Sequence, residues 1–397
     1  MIKLASSKEC TGCMACVDSC PHNVIMPVIK KDGHRYPEID HLQCVSCGRC
    51  QKVCPVINHF DYCSDSKYKP LLAWAKDDNI RLRSTSGGIF AALATYVLKN
   101  GGLVCGCIMD GLRAKHIIID SYDELSKLQG SKYLHSEMTG IYKAIKKELQ
   151  RGDRMVLYSG TRCLVAGLLS YLGKSYDNLI TLDLVCSGVP SSLLTKFHEG
   201  RYSTIASFRD KEKGWDVGIH STLVDKNGNK CKNTEDSSII DELKVSVLTI
   251  RSSCLDCKFA TPHSKADLTT MDYWGEKEHK EEHFKGVSCV IPNTEKGKKI
   301  LEQSDVNTIT SEWSKCLPYN PRIAYGKYFG AKFNLFRVFM PFLFNHCSKR
   351  IIQLLYVDKL SWKTSLMIPM KLYKYGMWKI MIIHTERSIN KILEKGL

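Results

Sequence analysis

The sequence predicts a composite α+β and α/β chain: a small cysteine-rich N-terminal domain, a mixed-sheet α/β domain, and a basic, mostly helical C-terminal segment. Three observations predict it. Eight cysteines fall in two identical runs within the first 54 residues, the stretch from about 70 to 310 alternates between strand and helix patterns, and the residues after Cys316 carry most of the net charge. A chain of 397 residues with 44% hydrophobic content can bury a large core, and its length suggests two to three domains.

The two runs are Cys10, Cys13, Cys16, Cys20-Pro21 and Cys44, Cys47, Cys50, Cys54-Pro55, each spaced C-x2-C-x2-C-x3-C-P. This is the ligand pattern of two [4Fe-4S] cubanes, in which the fourth cysteine of each run serves the other cluster. Three cysteines at i, i+3 and i+6 wrap a tight turn around one cluster, and the proline holds the fourth away. The expected sets are Cys10, Cys13, Cys16 with Cys54, and Cys44, Cys47, Cys50 with Cys20. Zinc or disulfides would explain one run but not the repeated spacing with both prolines. The segment resembles bacterial-type two-cluster ferredoxins over roughly the first 60 residues. Lys31, Asp32 and Gly33, followed by Tyr36-Pro37, read as a hairpin that folds the second run back onto the first. Such clusters move single electrons and perform no bond chemistry.

Before Cys10 there is no apolar stretch of the kind a secretory signal needs. Nineteen cysteines in an unexported chain imply reduced thiols and metal ligands rather than a disulfide framework. The expected compartment is the cytoplasm.

In the middle of the chain, Leu71–Ala75 reads as a strand. A helix follows Ser84-Thr-Ser-Gly-Gly88 and runs to about Leu98, closed by Asn100-Gly101-Gly102. Strands are expected at 103–109 and 114–120, a basic amphipathic helix at 137–149, a strand at 155–158, a helix at 164–172 and a strand at 179–185. This alternation predicts a parallel or mixed sheet with helices packed on it, and ligands then bind beyond the carboxyl ends of the strands. Three segments of small polar residues fall in such positions: Ser86, Gly87 and Gly88; Gly130, Ser131, Lys132 and Tyr133; and Ser159, Gly160 and Thr161. Free amides where a loop opens a helix attract phosphate. Singly, each is also compatible with an ordinary capped turn. There is no G-x-G-x-x-G after a strand and no P-loop lysine, which disfavours a nicotinamide Rossmann domain or a nucleotide hydrolase.

Further segments in the same order are Leu157-Tyr-Ser-Gly-Thr161 through Leu168, Asp183-Leu-Val-Cys-Ser-Gly-Val-Pro190, Phe208-Arg-Asp-Lys211 with Gly214-Trp215, Cys254-x-x-Cys257, and Asp267 through Asp272-Tyr-Trp-Gly275. Together with the loops at 85–88 and 130–133, they resemble the beta subunit of coenzyme F420 hydrogenases and dehydrogenases from about 70 to 290. The resemblance implies a flavin, FAD in preference to FMN, held over the strand ends by the three small-residue segments. Lys132 and the amides near Gly160 are the expected neighbours of its phosphates or ring edge. A lysine at the pyrimidine end of the ring would stabilise the anionic reduced flavin; a solvated loop charge is the plain alternative. The chain departs from the family pattern at three places: Arg162 where proline is usual, Ser187 where histidine is frequent, and Met271 where glycine is usual. These departures leave the electron acceptor open. No single catalytic residue stands out.

Four later cysteines suggest a further site. Cys163 follows one expected strand, Cys186 ends the next, and Cys254 with Cys257 forms a tight pair, so all four can converge on one tetrahedral site. A third [4Fe-4S] cluster is expected there, with structural zinc and buried unliganded thiols as the competing readings. Cys63, Cys105, Cys107, Cys231, Cys289, Cys316 and Cys347 lack a ligand-like pattern and are assigned to the core or to incidental positions.

After Cys316 there are 14 Lys and Arg against 3 Asp and Glu, a surplus of 11 out of the chain's +16. Aromatic residues interleave with this charge, among them Phe329, Phe333, Phe336, Phe339, Tyr373, Tyr375 and Trp378. The apolar run 338–344 contains Pro341 and is far shorter than the roughly 20 residues that span a bilayer. Peripheral contact with the inner face of the membrane is one reading, and helices packing their aromatic faces on the main domain is the favoured one. No nucleic-acid-binding module accompanies the charge. Residues 386–395 read as an amphipathic helix.

The expected organisation is a ferredoxin domain at 1–62, a flavin and iron–sulfur domain at 63–310 and the basic aromatic segment at 311–397. The expected function is a flavin-dependent iron–sulfur oxidoreductase. Electrons from ferredoxin or a redox partner subunit would reach coenzyme F420 or an organic substrate. A noncatalytic electron-relay subunit of a larger redox complex is the alternative, and a degenerate scaffold a third reading.

Overall fold

The computed structural model describes residues 1–196, 198–215, 220–244, 249–275, 278–326 and 345. At the N-terminus, α1 (Ala15–Ser19) and α2 (Arg49–Lys52) flank the antiparallel hairpin β1 (Ile25–Ile29) and β2 (Arg35–Ile39). The hairpin turns at Lys31–Gly33, where Gly33 takes φ 72°, a backbone region that side chains disfavour. Pairing Val28 with Tyr36 returns the chain over its own start and carries the second cysteine run back to the first.

The larger part of the chain begins with β3 (Leu71–Ala75), α3 (Asp78–Arg83), α4 (Ile89–Lys99), β4 (Leu103–Asp110) and β5 (Arg113–Ile119). It continues through α5 (Leu125–Leu128), α6 (Ile141–Arg151), β6 (Val156–Thr161), α7 (Arg162–Leu172), β7 (Leu179–Leu184) and α8 (Leu193–Lys196). A small antiparallel sheet of β8 (Tyr202–Ser207), β9 (Thr222–Asp225) and β10 (Lys230–Cys231) is followed by α9 (Glu235–Lys244). The chain then forms β11 (Leu268–Asp272), α10 (Lys280–Lys285), β12 (Ser288–Pro292), α11 (Glu295–Gln303), β13 (Val306–Thr310) and α12 (Trp313–Cys316).

The main sheet has eight strands in the order β13-β3-β12-β11-β7-β6-β4-β5. Its centre, β4-β6-β7-β11, is parallel, and the strands outside it pair antiparallel. The mixed sheet expected from the alternating pattern is therefore present. The central strands are apolar along most of their length because helices or the N-terminal lobe cover both faces. On one face α4 lays Leu93, Ala94 and Val97 against Val104, Leu157 and Leu182, and α7 packs on the other face with the N-terminal lobe.

Two local expectations are corrected. Ser159, Gly160 and Thr161 are not a loop but the last three residues of β6, paired with β7 alone beyond the point where the pairing with β4 ends at Tyr158, with Gly160 opposite Asp183. The helix begins at once with Arg162. The expected helix at 137–149 starts at Ile141, because Glu137 instead bridges to Lys115 of β5. The first part of the basic segment packs into the α/β domain, where Trp313, Cys316, Leu317 and Ile323 lie among Leu72, Met271 and Cys289. Apart from residue 345, the stretch from 327 onward, including the apolar run 338–344 and the expected helix 386–395, lies outside the described residues. Among the described residues, no helix is long and apolar enough to cross a membrane.

The N-terminal lobe docks on α6 and α7 through Met14, Ala15 and Val17, which join Tyr142, Ile145, Leu164, Val165 and Leu168 in one apolar cluster. Asp18 fixes the geometry of this contact. Its carboxylate accepts from the amides of Gly140 (2.6 Å), Tyr142 (2.9 Å) and Lys143 (3.3 Å), satisfying donors at the start of α6 that the helix itself cannot pair. A side chain from one lobe thus caps a helix of the other. Replacing Asp18 by Ala is expected to lower stability by about 1–2 kcal/mol, the usual cost of a lost N-cap. Chemical denaturation followed by far-UV circular dichroism would check it, and an unchanged midpoint would count against this docking.

Candidate functional site

Two cavities in the N-terminal lobe collect the eight cysteines of the two runs. One, of about 350 Å3 and partly open to solvent, is lined by Cys10, Cys13, Cys16 and Cys54 with Leu4, Met14 and Val56. The other, of about 320 Å3, is lined by Cys20, Cys44, Cys47 and Cys50 with Ile2, Val24 and Ile25. Each cavity takes three cysteines from one run and the fourth from the other. This crossing follows from the hairpin, which brings Cys54 against the first run and Cys20 against the second. Burial pushes the Cys13 thiol up to about 12 and raises Cys10 and Cys16. Buried thiols in such numbers favour the thiolate only when a metal supplies positive charge, so the donor set fits iron–sulfur ligation.

The first cavity is the inner one. Gly167 of α7 comes so close to Cys13 that an added Cβ would lie 2.9 Å from its Cβ and 3.0 Å from its Sγ. On the other side, the Cys10 carbonyl accepts from Arg251 Nη1 and from Ser253 Oγ, both at 3.0 Å. Arg251 is buried, donates also to the Arg35 carbonyl, and lies 4.4 Å from the Tyr36 ring centroid. In the second cavity, by contrast, Cys47 is exposed.

The remaining cysteine group lies beside the inner cavity. Cys163 is the second residue of α7, Cys186 follows β7 by two residues, and Cys254 lies in the turn Ser252–Leu255 with Cys257 just after it. The structure brings these four together. Burial raises the Cys163 thiol most, and the nearby Cys257, Cys254 and Cys186 raise it further. Burial likewise pushes Cys254 up to about 12, with Cys186 and Cys257 adding to it. For Cys186 burial again dominates, opposed by the Gly188 amide, which donates to its Sγ at 3.3 Å, and by Arg322 and Arg162. Four half-buried cysteines this close together would repel one another as thiolates, an arrangement that a cationic centre would relieve. Among the described residues no three His, Cys, Asp or Glu side chains converge tightly enough for a single ion; a cubane binds each thiolate at a separate iron and needs a wider cage. Cys105, Cys289 and Cys316 are buried in the core, while Cys63 is exposed.

Two of the three small-residue segments meet. The Ser131 amide donates to Thr85 Oγ1 at 2.6 Å, joining the loop before α4 to the loop after α5. Gly88 caps α4 with φ 83°. Ser86 donates through Oγ to the Val287 carbonyl (2.6 Å), and the Gly87 amide donates to Ser288 Oγ (2.9 Å). Lys132 is not a solvated loop charge. Its ammonium donates to the carbonyls of Lys127, Leu128 and Gln129 at 3.2, 3.0 and 2.7 Å, closing the C-terminus of α5, so all three of its N–H donors have partners. Burial pushes it down to about 8. Ser159 connects indirectly through His116, whose Nε2 donates to the Ser159 carbonyl at 3.2 Å while Nδ1 meets Ser136 Oγ at 2.7 Å. Burial holds His116 near 4, so it is neutral at physiological pH.

The structure adds a cluster that sequence reading did not single out as contacts. Lys211 donates to the carbonyls of Ser86, Arg81 and Lys285, tying the loop before α4 to the segment before β12. Arg209 pairs with Asp272 at 2.6 Å and lies 4.9 Å from the Trp274 ring centroid, and Trp274 stacks on Trp215 at 4.6 Å. Trp215 Nε1 is a buried donor without a hydrogen-bond partner, and Arg209 Nη2 meets none in good geometry although the Arg209 guanidinium lies against the Tyr133 hydroxyl. The run Phe208–Lys211 carried the signal, two basic residues flanking one acid ahead of a tryptophan, but only the fold brings it to these loops.

A cysteine-lined lobe docked on a mixed α/β sheet, with a third cysteine group at the strand ends behind it, defines an iron–sulfur electron-transfer protein. Residues 9–58 match the 4Fe-4S dicluster domain, residues 71–143 the N-terminal part of the coenzyme F420 hydrogenase/dehydrogenase beta subunit, and residues 153–312 its C terminus. The chain belongs to the coenzyme F420 hydrogenase/dehydrogenase beta subunit family, fused to an N-terminal two-[4Fe-4S] ferredoxin domain. It is 25% identical over 196 residues to the coenzyme F420-dependent sulfite reductase of Methanocaldococcus jannaschii, a match covering 48% of this chain and 30% of that protein. It thus spans less than a third of that relative's length. It is 35% identical over 63 residues to the ketoisovalerate oxidoreductase subunit VorC of Methanothermobacter marburgensis, covering 14% of this chain and 80% of the subunit. A chain of the F420-reducing [NiFe] hydrogenase complex from Methanosarcina barkeri aligns over 62% of this chain and 83% of its own, with 18% identity and a TM-score of 0.43.

The close approach at Gly167 gives a direct test. Gly167→Val is expected to overpack against Cys13, costing roughly 1–3 kcal/mol, and to lower the iron bound per chain by loosening the inner cavity. Thermal unfolding and iron determination would show both effects, and a Val variant with unchanged iron and melting temperature would contradict the contact.

Proposed function

We propose that the protein is a cytoplasmic, flavin-dependent iron–sulfur oxidoreductase that takes electrons from ferredoxin or a redox partner subunit and delivers them to coenzyme F420 or an organic substrate. In this reading residues 1–62 form the ferredoxin domain, 63–310 the flavin and iron–sulfur domain, and 311–397 a basic accessory segment. Cys10, Cys13, Cys16 and Cys54 hold one [4Fe-4S] cluster, Cys20, Cys44, Cys47 and Cys50 a second, and Cys163, Cys186, Cys254 and Cys257 a third. The observation that carries the proposal is the docking of the inner cysteine cavity on α7, the helix whose N-terminus bears Cys163.

For the flavin, the supporting features are the joined loops at Ser86–Gly88 and Gly130–Tyr133 and the two buried donors beside them, Arg209 Nη2 and Trp215 Nε1. A flavin carbonyl or phosphate offers acceptors that such donors require. Because Lys132 already serves three carbonyls, it acts on the site through its charge and by holding its loop, not as a free donor. Ser159, Gly160 and Thr161 support from within β6. When bound, a flavin supplies the exchange between one-electron and two-electron chemistry that cubanes cannot perform. Around it, the stacked Trp215 and Trp274 exclude water, and Lys211 fixes the backbone of Ser86.

Metal and flavin analysis after strictly anaerobic purification tests the proposal. About twelve irons with matching sulfide and one flavin per chain are expected, from three four-iron clusters. Eight irons with no flavin would overturn it and leave only the ferredoxin wire. Cys254→Ser is expected to lower iron by about four per chain, while a loss of one zinc per chain in its place would identify the third site as structural zinc.

A further inference from the structure

Arg162 stands at the first position of α7, immediately before Cys163, and its side chain is 4% exposed. One of its three nitrogens is satisfied: Nη1 donates to the Ile323 carbonyl at 2.7 Å. Its Nε and Nη2 are buried with no hydrogen-bond partner. Nε lies 3.7 Å from Asp183 Oδ2, within ion-pair range but too far for a hydrogen bond, and that oxygen accepts instead from Tyr62 Oη at 2.8 Å. Asp183 is wholly buried, and its Oδ1 is also unpartnered. The charge of Arg322 and, after it, that of Arg162 reach Cys186, the strand-end cysteine of the third group.

A buried guanidinium with two idle donors and an incompletely engaged counter-ion is costly unless something near it gains from the charge. Burial cannot discharge it, since arginine does not lose its proton in proteins. The α7 N-terminus adds positive potential on the same side of Cys163.

We propose that Arg162 is a fixed tuning charge that raises the reduction potential of the third cluster. Asp183, braced by Tyr62 at the end of the ferredoxin domain, sets how much of that charge is felt. One electron arriving from the N-terminal clusters adds one negative charge at the cysteine group and takes up no proton. Arg162 offsets that charge without changing its own protonation, so the added electron is held more tightly than it would be without the guanidinium. This inference rests on the third-cluster reading above.

The test is a redox titration of the anaerobically purified full chain, followed by electron paramagnetic resonance of each cluster. Arg162→Gln is expected to make the third potential more negative, raising the ratio of oxidised to reduced cluster at least tenfold at a fixed ambient potential, about 59 mV for one electron. Asp183→Asn is expected to shift it in the opposite direction, and Arg162→Lys to keep it near the wild-type value. The two N-terminal signals should stay in place in every variant. A purely structural role would not give shifts of opposite sign confined to one cluster. If Arg162→Gln does not fold, the Asp183→Asn shift decides. A third cluster whose potential is unmoved by these changes overturns the inference, whereas a wild-type chain with only eight irons defeats the reading beneath it.

Discussion

The contact between Cys13 and Gly167 is what the rest of the molecule depends on. A helix position without a side chain lets the cysteine loop of one lobe lie directly on the backbone of the other. Everything proposed about electron transfer depends on that proximity, because α7 also carries Cys163 at its start and follows the strand that borders β7 and Cys186. The contact is locked from two further directions. Asp18 caps α6 beside it, and Arg251 with Ser253 grips the Cys10 carbonyl one residue before Cys254. Apolar packing supplies the bulk of the attraction, and these polar contacts select one orientation for it.

Charge placement follows from the same docking. Closing the lobe over α7 buries Arg162, Asp183 and Tyr62 together and leaves donors idle next to the cysteine group. Farther along the strand ends, Arg209 and Asp272 form a second buried pair against stacked tryptophans.

Much of this was legible in the chain itself. The cysteine runs act over a few residues, so their spacing alone implies the turn that holds them. The hairpin at Gly33 was readable because one turn joins two short strands, and the convergence of Cys163, Cys186, Cys254 and Cys257 because parallel strand ends share an edge. What misled was local chemistry without its context. Ser159, Gly160 and Thr161 have loop-like side chains, yet pairing with β7 extends them as strand and overrides that preference. Lys132 reads as a flavin neighbour or a solvated charge, and neither reading shows that the end of α5 turns three carbonyls toward it. The docking face was not readable at all: Asp18, Gly167 and Ser253 are ordinary residues in sequence, and their roles exist only once the two lobes meet.

The central claim is that the inner ferredoxin cluster and the third cysteine group form one electronically connected pair. Pulsed electron paramagnetic resonance of the fully reduced, anaerobically purified protein measures this directly through magnetic coupling between clusters. Splitting and relaxation of the inner-cluster signal beyond what the two ferredoxin clusters give each other are predicted, and this excess should vanish in a chain that lacks the third cluster. An inner-cluster signal unchanged when the third cluster is removed would contradict the account.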